Sequence, residues 1–301
     1  MNESAAVLAT ARWPLTVGGE ADWLRDLTCD DGLTGFMPPA LPDAAWVLHS
    51  MYEHQLGPTG MSFVEYRRRV LMGGGREIVP GLDPADVMDA VPGERPGPRW
   101  RRLRWTELAH RIGDPTVPEG RMPCHTSFPS IKPEPWPVGI LAPSEGSMDR
   151  ADWNRLITIL TEHSSQGPGT PCLAYYSPLL HGAEEFDNLH VRTGTLADAP
   201  VLYDHPEEDG WSPSNLWPRD RSWVLCTDYD LWATKVAGPA ALIEALLDDG
   251  ELEAVRPVSM CIRDRHRSCP SGPSIVLGHI GDPGRRDRRR EPPTWCCGRR
   301  L

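Results

Sequence analysis

Ser212-Pro213-Ser214-Asn215-Leu216-Trp217-Pro218-Arg219-Asp220-Arg221-Ser222-Trp223, running on through Cys226-Thr227-Asp228-Tyr229-Asp230-Leu231 to Val255, is the stretch from which the fold is read. Trp211, Trp217, Trp223 and Trp232 fall within 22 residues of one another, a density of large apolar rings that marks a core. Ser222 to Thr227 and Leu231 to Val236 have the composition of strands. Pro239 suits a first helical turn and Gly250 a stop; between them Leu242, Ile243, Leu246 and Leu247 share a face while Glu244, Asp248 and Asp249 look to water. Leu252 to Val255 predicts a last strand.

Upstream, Trp153, Leu156, Ile157 and Leu160 recur at helical spacing, so a helix is predicted over Met148 to His163, with Asp149 and Asp152 at its amino end. Strand composition follows at Cys172 to Tyr176, Leu189 to Thr193 and Val201 to Tyr203. Helix, short strands, helix and strand spell α+β: a short antiparallel sheet with helices packed on one side.

A mainly helical N-terminal region is expected to precede it. Residues 1–40 carry loop signals, Gly18-Gly19 and Asp30-Asp31-Gly32, around Trp23-Leu24. Pro42-Asp43 suits a helix start, with Val47, Leu48, Met51 and Tyr52 as its apolar stripe and Gly57 as its end. Ser62 and Glu65 form a capping-box pair for a second helix, stopped by Gly73-Gly74-Gly75, and Asp83-Pro84 starts a short third one ending near Val91. Trp100 to Trp105 reads as a strand alternating with arginine. Eight prolines between Asp114 and Pro143 forbid helix or central strand, so an extended connector docked by Phe128 and Trp136 is predicted. The expected domains are therefore 1–113, a connector over 114–143, an α+β domain over 144–256, and a tail over 257–301.

The tail differs from the rest. It holds ten Arg against three Asp and one Glu, so the net charge of −11 leaves −17 for residues 1–256. Met260-Cys261-Ile262-Arg263-Asp264-Arg265 back-translates as ATG-TGT-ATA-AGA-GAC-AGN, which resembles the transposon-end adapter of sequencing libraries, and Pro257-Val258-Ser259 fits its inverted copy. The tail has no sustained period and several prolines, and it is read as foreign, disordered translation. Cys296-Cys297 is accordingly no metal site. Cys29, Cys124, Cys172 and Cys226 show no CxxC spacing and read as buried free thiols of a reducing compartment. No run reaches the ~20 apolar residues of a membrane span and no basic region precedes Ala5-Ala6-Val7-Leu8, so a cytoplasmic, soluble protein is expected.

The stretch opened on also carries a resemblance. Ser212-Pro213-Ser214-Asn215-Leu216-Trp217-Pro218, Asp220-Arg221-Ser222-Trp223, Cys226-Thr227, Asp230-Leu231, Thr234, Val236-Ala237-Gly238 and Leu252-Glu253-Ala254-Val255 resemble the carboxy-terminal signature of an uncharacterised protein family of high-GC actinobacteria. Leu216 stands where that family has a second aromatic. The resemblance implies a domain boundary near Val255 and no particular activity.

Candidate chemistry is sparse. His49, Glu53 and His54 invite a metal reading, but His49 and His54 are five apart, about 140° around a helix, which suits a solvated face better than a zinc pair. Cys124-His125 sits in a proline-rich loop, where neighbouring side chains diverge; a thiolate there would need His181, His190 or His205 as its base. Arg95 to Arg111, with Trp100 and Trp105, has a composition that grips nucleic acid, yet the acidic body favours internal pairing of those arginines. Asp228 and Asp230 form either a turn or a carboxylate pair for a hard cation. No phosphate loop, GxSxG or HExxH motif occurs.

The reading that follows is a non-enzymatic acidic protein-binding module, immunity-like or accessory, with a basic protein partner, no nucleic acid, no membrane and no cofactor or metal. Its binding residues are expected among Trp211, Trp217, Arg221, Asp228 and Asp230. The alternative is a metal-dependent hydrolase using Asp228 and Asp230.

Overall fold

In a computed structural model, residues 3–16, 19–73, 77–88, 96–119, 121–131, 136–181, 190–208 and 210–257 are described. Two helices come first, α1 (Glu3–Arg12) and α2 (Asp22–Thr28), then strands β1 (Asp43–Leu48) and β2 (Met51–His54). Helices α3 (Phe63–Met72) and α4 (Pro84–Met88) lead to β3 (Trp100–Leu103), α5 (Trp105–Ile112) and β4 (Ile140–Leu141). Beyond them lie α6 (Arg150–Glu162), β5 (Pro171–Tyr176), α7 (Pro178–His181) and β6 (His190–Thr195). The chain then forms a 3-10 helix (Leu196–Asp204), β7 (Asn215–Pro218), β8 (Val224–Thr227), β9 (Ala233–Gly238), α8 (Ala240–Leu247) and β10 (Glu253–Val255).

The main sheet is antiparallel throughout and ordered β10-β1-β9-β8-β7-β5-β6; a smaller sheet is ordered β3-β2-β4. The fold is thus α+β, as the sequence indicates. Strand alternation separates two cores. Ala45, Val47, Ala174, Leu216, Leu225 and Val236 face α6 and α8, whereas Ala44, Leu173, Tyr175, Trp217, Val224 and Ala237 face α2 and Phe36. Helical cover is therefore not confined to one side.

That double cover explains the main correction. The segment from Pro42 to Gly57, expected as a helix, is β1 and β2. Five of the six residues of β1 are buried because both faces of the sheet are covered, and a short continuous apolar run of this kind carries no period that separates helix from strand. The N-terminal region therefore contributes strands as well as helices: β1 lies between β9 and β10, with Trp46 opposite both Lys235 and Val255. His49, Glu53 and His54, read as a solvated helix face, are instead buried strand-end and strand residues.

Other expectations are met only in part. Ser62 caps α3 by accepting from Glu65 N–H at 3.2 Å, and Asp149 caps α6 by accepting from Ala151 N–H at 2.8 Å. The Glu65 carboxylate turns to Arg68 and Arg69 instead of closing the capping box. Phe128 and Trp136 dock the proline-rich segment in a ring cluster with Trp105 and Trp232, at centroid distances of 5.0 to 6.2 Å. Val201 to Tyr203, expected as a strand, belongs to the 3-10 helix containing Pro200; Leu196, Ala199 and Leu202 of that helix are buried at the i, i+3 spacing of such a turn. β7 was not anticipated, since Pro213 and Pro218 suggest a loop; Pro218 sits at the strand's end, opposite Cys172. Cys124, Cys172 and Cys226 are buried thiols, while Cys29 is exposed at the end of α2. Gly18, Gly74, Gly75, Val91, Leu189 and residues 258–301 lie outside the described residues.

Candidate functional site: an acidic end of the sheet

One end of the main sheet is where β1, β5 and β8 finish and β7 and β9 begin, and a row of buried polar groups fixes it. His49 follows β1. Its Nδ1 lies 2.8 Å from the Ser144 carbonyl, which can only accept, so Nδ1 carries the proton and Nε2 accepts from Thr234 Oγ1 at 3.1 Å. The Thr234 hydroxyl in turn accepts from Thr227 Oγ1 at 2.6 Å. Burial holds the His49 pKa down at about 4, partly offset by the bond to Ser144. Asn215 Oδ1 accepts from Phe36 N–H, and Asn215 Nδ2 donates to the carbonyls of Phe36 and Leu225 at 2.8 and 2.9 Å. The backbone entering the loops at this end is thus pinned by side chains whose bonds are made.

Three loops meet above that row. In the β8–β9 turn, Asp228 Oδ1 accepts from Asp230 N–H and Leu231 N–H donates to the Asp228 carbonyl at 3.1 Å. The loop after α2 joins it: Thr34 Oγ1 donates to Asp228 Oδ2 at 2.7 Å, and Tyr229 N–H donates to the Thr34 carbonyl at 3.1 Å. Asp30 and Asp31 sit in that loop as Asx turns, accepting from Gly32 and Leu33 N–H. The third loop brings Gly146 N–H to the Leu231 carbonyl at 3.0 Å and Glu145 Oε1 to Trp232 Nε1 at 3.2 Å. Gly146 has φ 68°, and a Cβ there would lie 2.9 Å from the Tyr229 carbonyl oxygen, so this close approach requires glycine.

The result is a concentration of five carboxylates, on Asp30, Asp31, Glu145, Asp228 and Asp230. None of them has an Arg or Lys partner within 4 Å among the described residues. Burial raises the Asp228 pKa, opposed by the Thr34 hydroxyl and reinforced by the charges of Asp230 and Asp30. Glu145 is also raised, by burial first and then by Asp230, against the indole of Trp232 and the nearby His125. Elsewhere several arginines are committed. Arg101 and Arg111 hold Glu53 and Glu107, Arg102 grips Asp152 with two bonds, and Arg104 donates to the carbonyls of Gly250 and Leu252.

The residues singled out in the sequence are not one site. Asp228 and Asp230 stand at this acidic end. Trp217 and Arg221 lie at the other end of β8: Arg221 places its guanidinium 5.0 Å above the Trp23 ring, and Trp23 meets the buried Trp217 edge-on at 6.1 Å. Trp211 is half-buried, its N–H bound to the Glu208 carbonyl at 2.9 Å. Sequence reasoning missed Thr34 and Glu145, which no local pattern links to Asp228, and gave Asp30-Asp31-Gly32 only a loop reading.

A second polar cluster surrounds Arg192. His205, Glu207 and Glu208 are the group of metal-ligating side chains whose ligand atoms converge, within 4.8 Å, among the described residues. The Arg192 guanidinium already binds both carboxylates, through Nε to Glu208 and Nη2 to Glu207. Glu207 N–H points at His205 Nδ1 at 3.3 Å, which leaves the proton of the neutral ring on Nε2, where a cation could not bind. This cluster is an internal ion triad. Cys124 Sγ contacts Thr126 Oγ1 at 3.2 Å, and His125 lies toward Glu145.

The chain matches no protein family, no curated protein and no solved structure. No described helix is long and apolar enough to cross a membrane.

Proposed function

We propose that the protein is a non-enzymatic binding module that engages a basic protein partner through the acidic end of its main sheet. The observation that carries this reading is the set of five carboxylates without an arginine or lysine partner among the described residues, in a chain that spends many of its arginines on other carboxylates. Holding such charges together is unfavourable for the isolated fold, and a cationic surface relieves it on contact. Leu33 and Tyr229, both exposed, supply apolar surface among the carboxylates, the mixture found at protein interfaces.

The test is a titration with a fluorescently labelled arginine-rich peptide. Binding should weaken steeply as salt rises. Asp30→Asn, Asp31→Asn and Asp230→Asn combined should weaken it about tenfold or more, roughly 1.4 kcal/mol. Glu119→Gln, Glu162→Gln and Asp248→Asn remove the same charge from exposed positions elsewhere and should leave most of the affinity. Equal losses in the two triple variants would reduce the effect to net charge and sink the proposal.

A further inference from the structure

Helix α3 has two apolar faces, and the fold uses one. Tyr66 and Val70 are buried against Tyr52, Leu82, Trp100 and Val138. On the opposite side, Val64, Arg67, Arg68, Leu71 and Met72 follow the i, i+3, i+4, i+7, i+8 spacing of a single stripe. Val64, Leu71 and Met72 are 58%, 68% and 78% exposed. A helix in contact with water on one side normally presents polar residues there. The arginines of the stripe are under-used: Arg67 has no carboxylate within 4 Å among the described residues, and Arg68 shares the single carboxylate of Glu65 with Arg69. The face is apolar and cationic on a body whose charge is otherwise strongly negative.

We propose that this face docks a second copy of the same chain, seating on the acidic end of that copy's main sheet. The proposal rests on the reading of that end as a binding surface and names the partner. The two patches complement each other in both respects that matter: Val64, Leu71 and Met72 against the exposed Leu33 and Tyr229, and Arg67 and Arg68 against Asp30, Asp31 and Asp230. Pairing α3 with α3 across a two-fold axis is disfavoured. Arg67 and Arg68 lie midway along the stripe, so antiparallel helices would set arginine against arginine. A contact between two different patches is heterologous, so each copy keeps one free patch of each kind and the assembly grows into a ring or a filament.

Sedimentation velocity on the full chain tests this. At low salt the average mass should rise with protein concentration beyond a dimer, and about 0.5 M salt should reverse the rise. Two variants break opposite patches: R67E/L71S on α3, and D30N/D31N/D230N on the acidic end. Each alone should remain monomeric, while their mixture should form a dimer and stop there, because only one intact patch of each kind remains. Circular dichroism must show both to be folded; should R67E/L71S fail that check, R67Q/R68Q replaces it. A wild-type chain that stays monomeric, an assembly that persists in the α3 variant, or a mixture that forms no dimer overturns the proposal. The arginine-rich peptide separates the two readings: if it binds the folded α3 variant while the wild type does not self-associate, the acidic end is a binding surface and self-docking is wrong. If neither occurs, both readings fall.

Discussion

His49 has a wholly buried ring whose two nitrogens have complementary partners, the Ser144 carbonyl for the donor and the Thr234 hydroxyl for the acceptor. Only the neutral ring fits that pair, because the imidazolium would present a second donor to a hydroxyl already oriented to donate. The folded pKa of about 4 lies below the ordinary 6.5, so in that window the unfolded chain takes up a proton that the fold refuses. Stability from this residue is therefore present above pH 6.5 and lost as pH falls toward 4, by about 3 kcal/mol at most. Asp228 and Glu145 act in the opposite sense, since their raised pKa values favour the fold as they take up protons in acid. The net acid profile mixes the three, and a variant isolates the histidine. His49→Gln retains one donor and one acceptor but does not titrate. The difference in unfolding free energy between wild type and His49→Gln, followed by urea melts, should shift against the wild type between pH 6.5 and 4; a constant difference would show that His49 does not govern acid stability.

β6 and the turn that follows the 3-10 helix are joined by an ion triad in which Arg192 and Glu208 are almost wholly buried and Glu207 is half exposed. Removing Arg192 takes the counter-charge from a buried carboxylate, so Arg192→Met should cost about 3–5 kcal/mol, whereas Arg192→Met with Glu208→Met should recover most of it. Glu207→Gln, at the wet side, should cost less than about 1 kcal/mol. Chemical denaturation of these variants and the wild type measures this, and a double variant less stable than Arg192→Met would contradict it. The triad also shows where sequence reading stops. Helix α6 was legible because Asp149 caps it and Trp153, Leu156, Ile157 and Leu160 repeat at its period; α3 was legible through Ser62. β1 was not, because burial on both faces removes the alternation a strand would show. Of the acidic end, Asp228 and Asp230 could be read as a turn or a site, but Thr34 reaches Asp228 across 194 residues of sequence, and that no described arginine or lysine pairs with these carboxylates is visible only in three dimensions.

The molecule as a whole is closed by β1. It comes from the N-terminal region and pairs with β9 on one side and β10 on the other, and all described residues fall in one compact unit, Met1–Arg263. Its Ala45 and Val47 enter the core of α6 and α8, while Trp105 and Trp136 close on Trp232 from the second half of the chain. A fragment spanning 144–256 would keep eight of the elements around that core but lack the strand between β9 and β10. Both would then expose unpaired backbone edges, and β10, three residues long, would have no strand to pair with. The fragment 1–113 would carry β1 with neither neighbour. The expectation is that neither fragment unfolds cooperatively alone, while the whole chain loses tryptophan fluorescence and far-ultraviolet dichroism in one coincident urea transition. Tryptophans on both sides make the fluorescence report fair, since Trp46 and Trp105 are buried in one half and Trp153 and Trp223 in the other. Mixing the two fragments should restore the transition if β1 can insert. Should 144–256 alone show a sharp transition and slow amide exchange in β9, the C-terminal half is an independent domain and β1 only an addition to it.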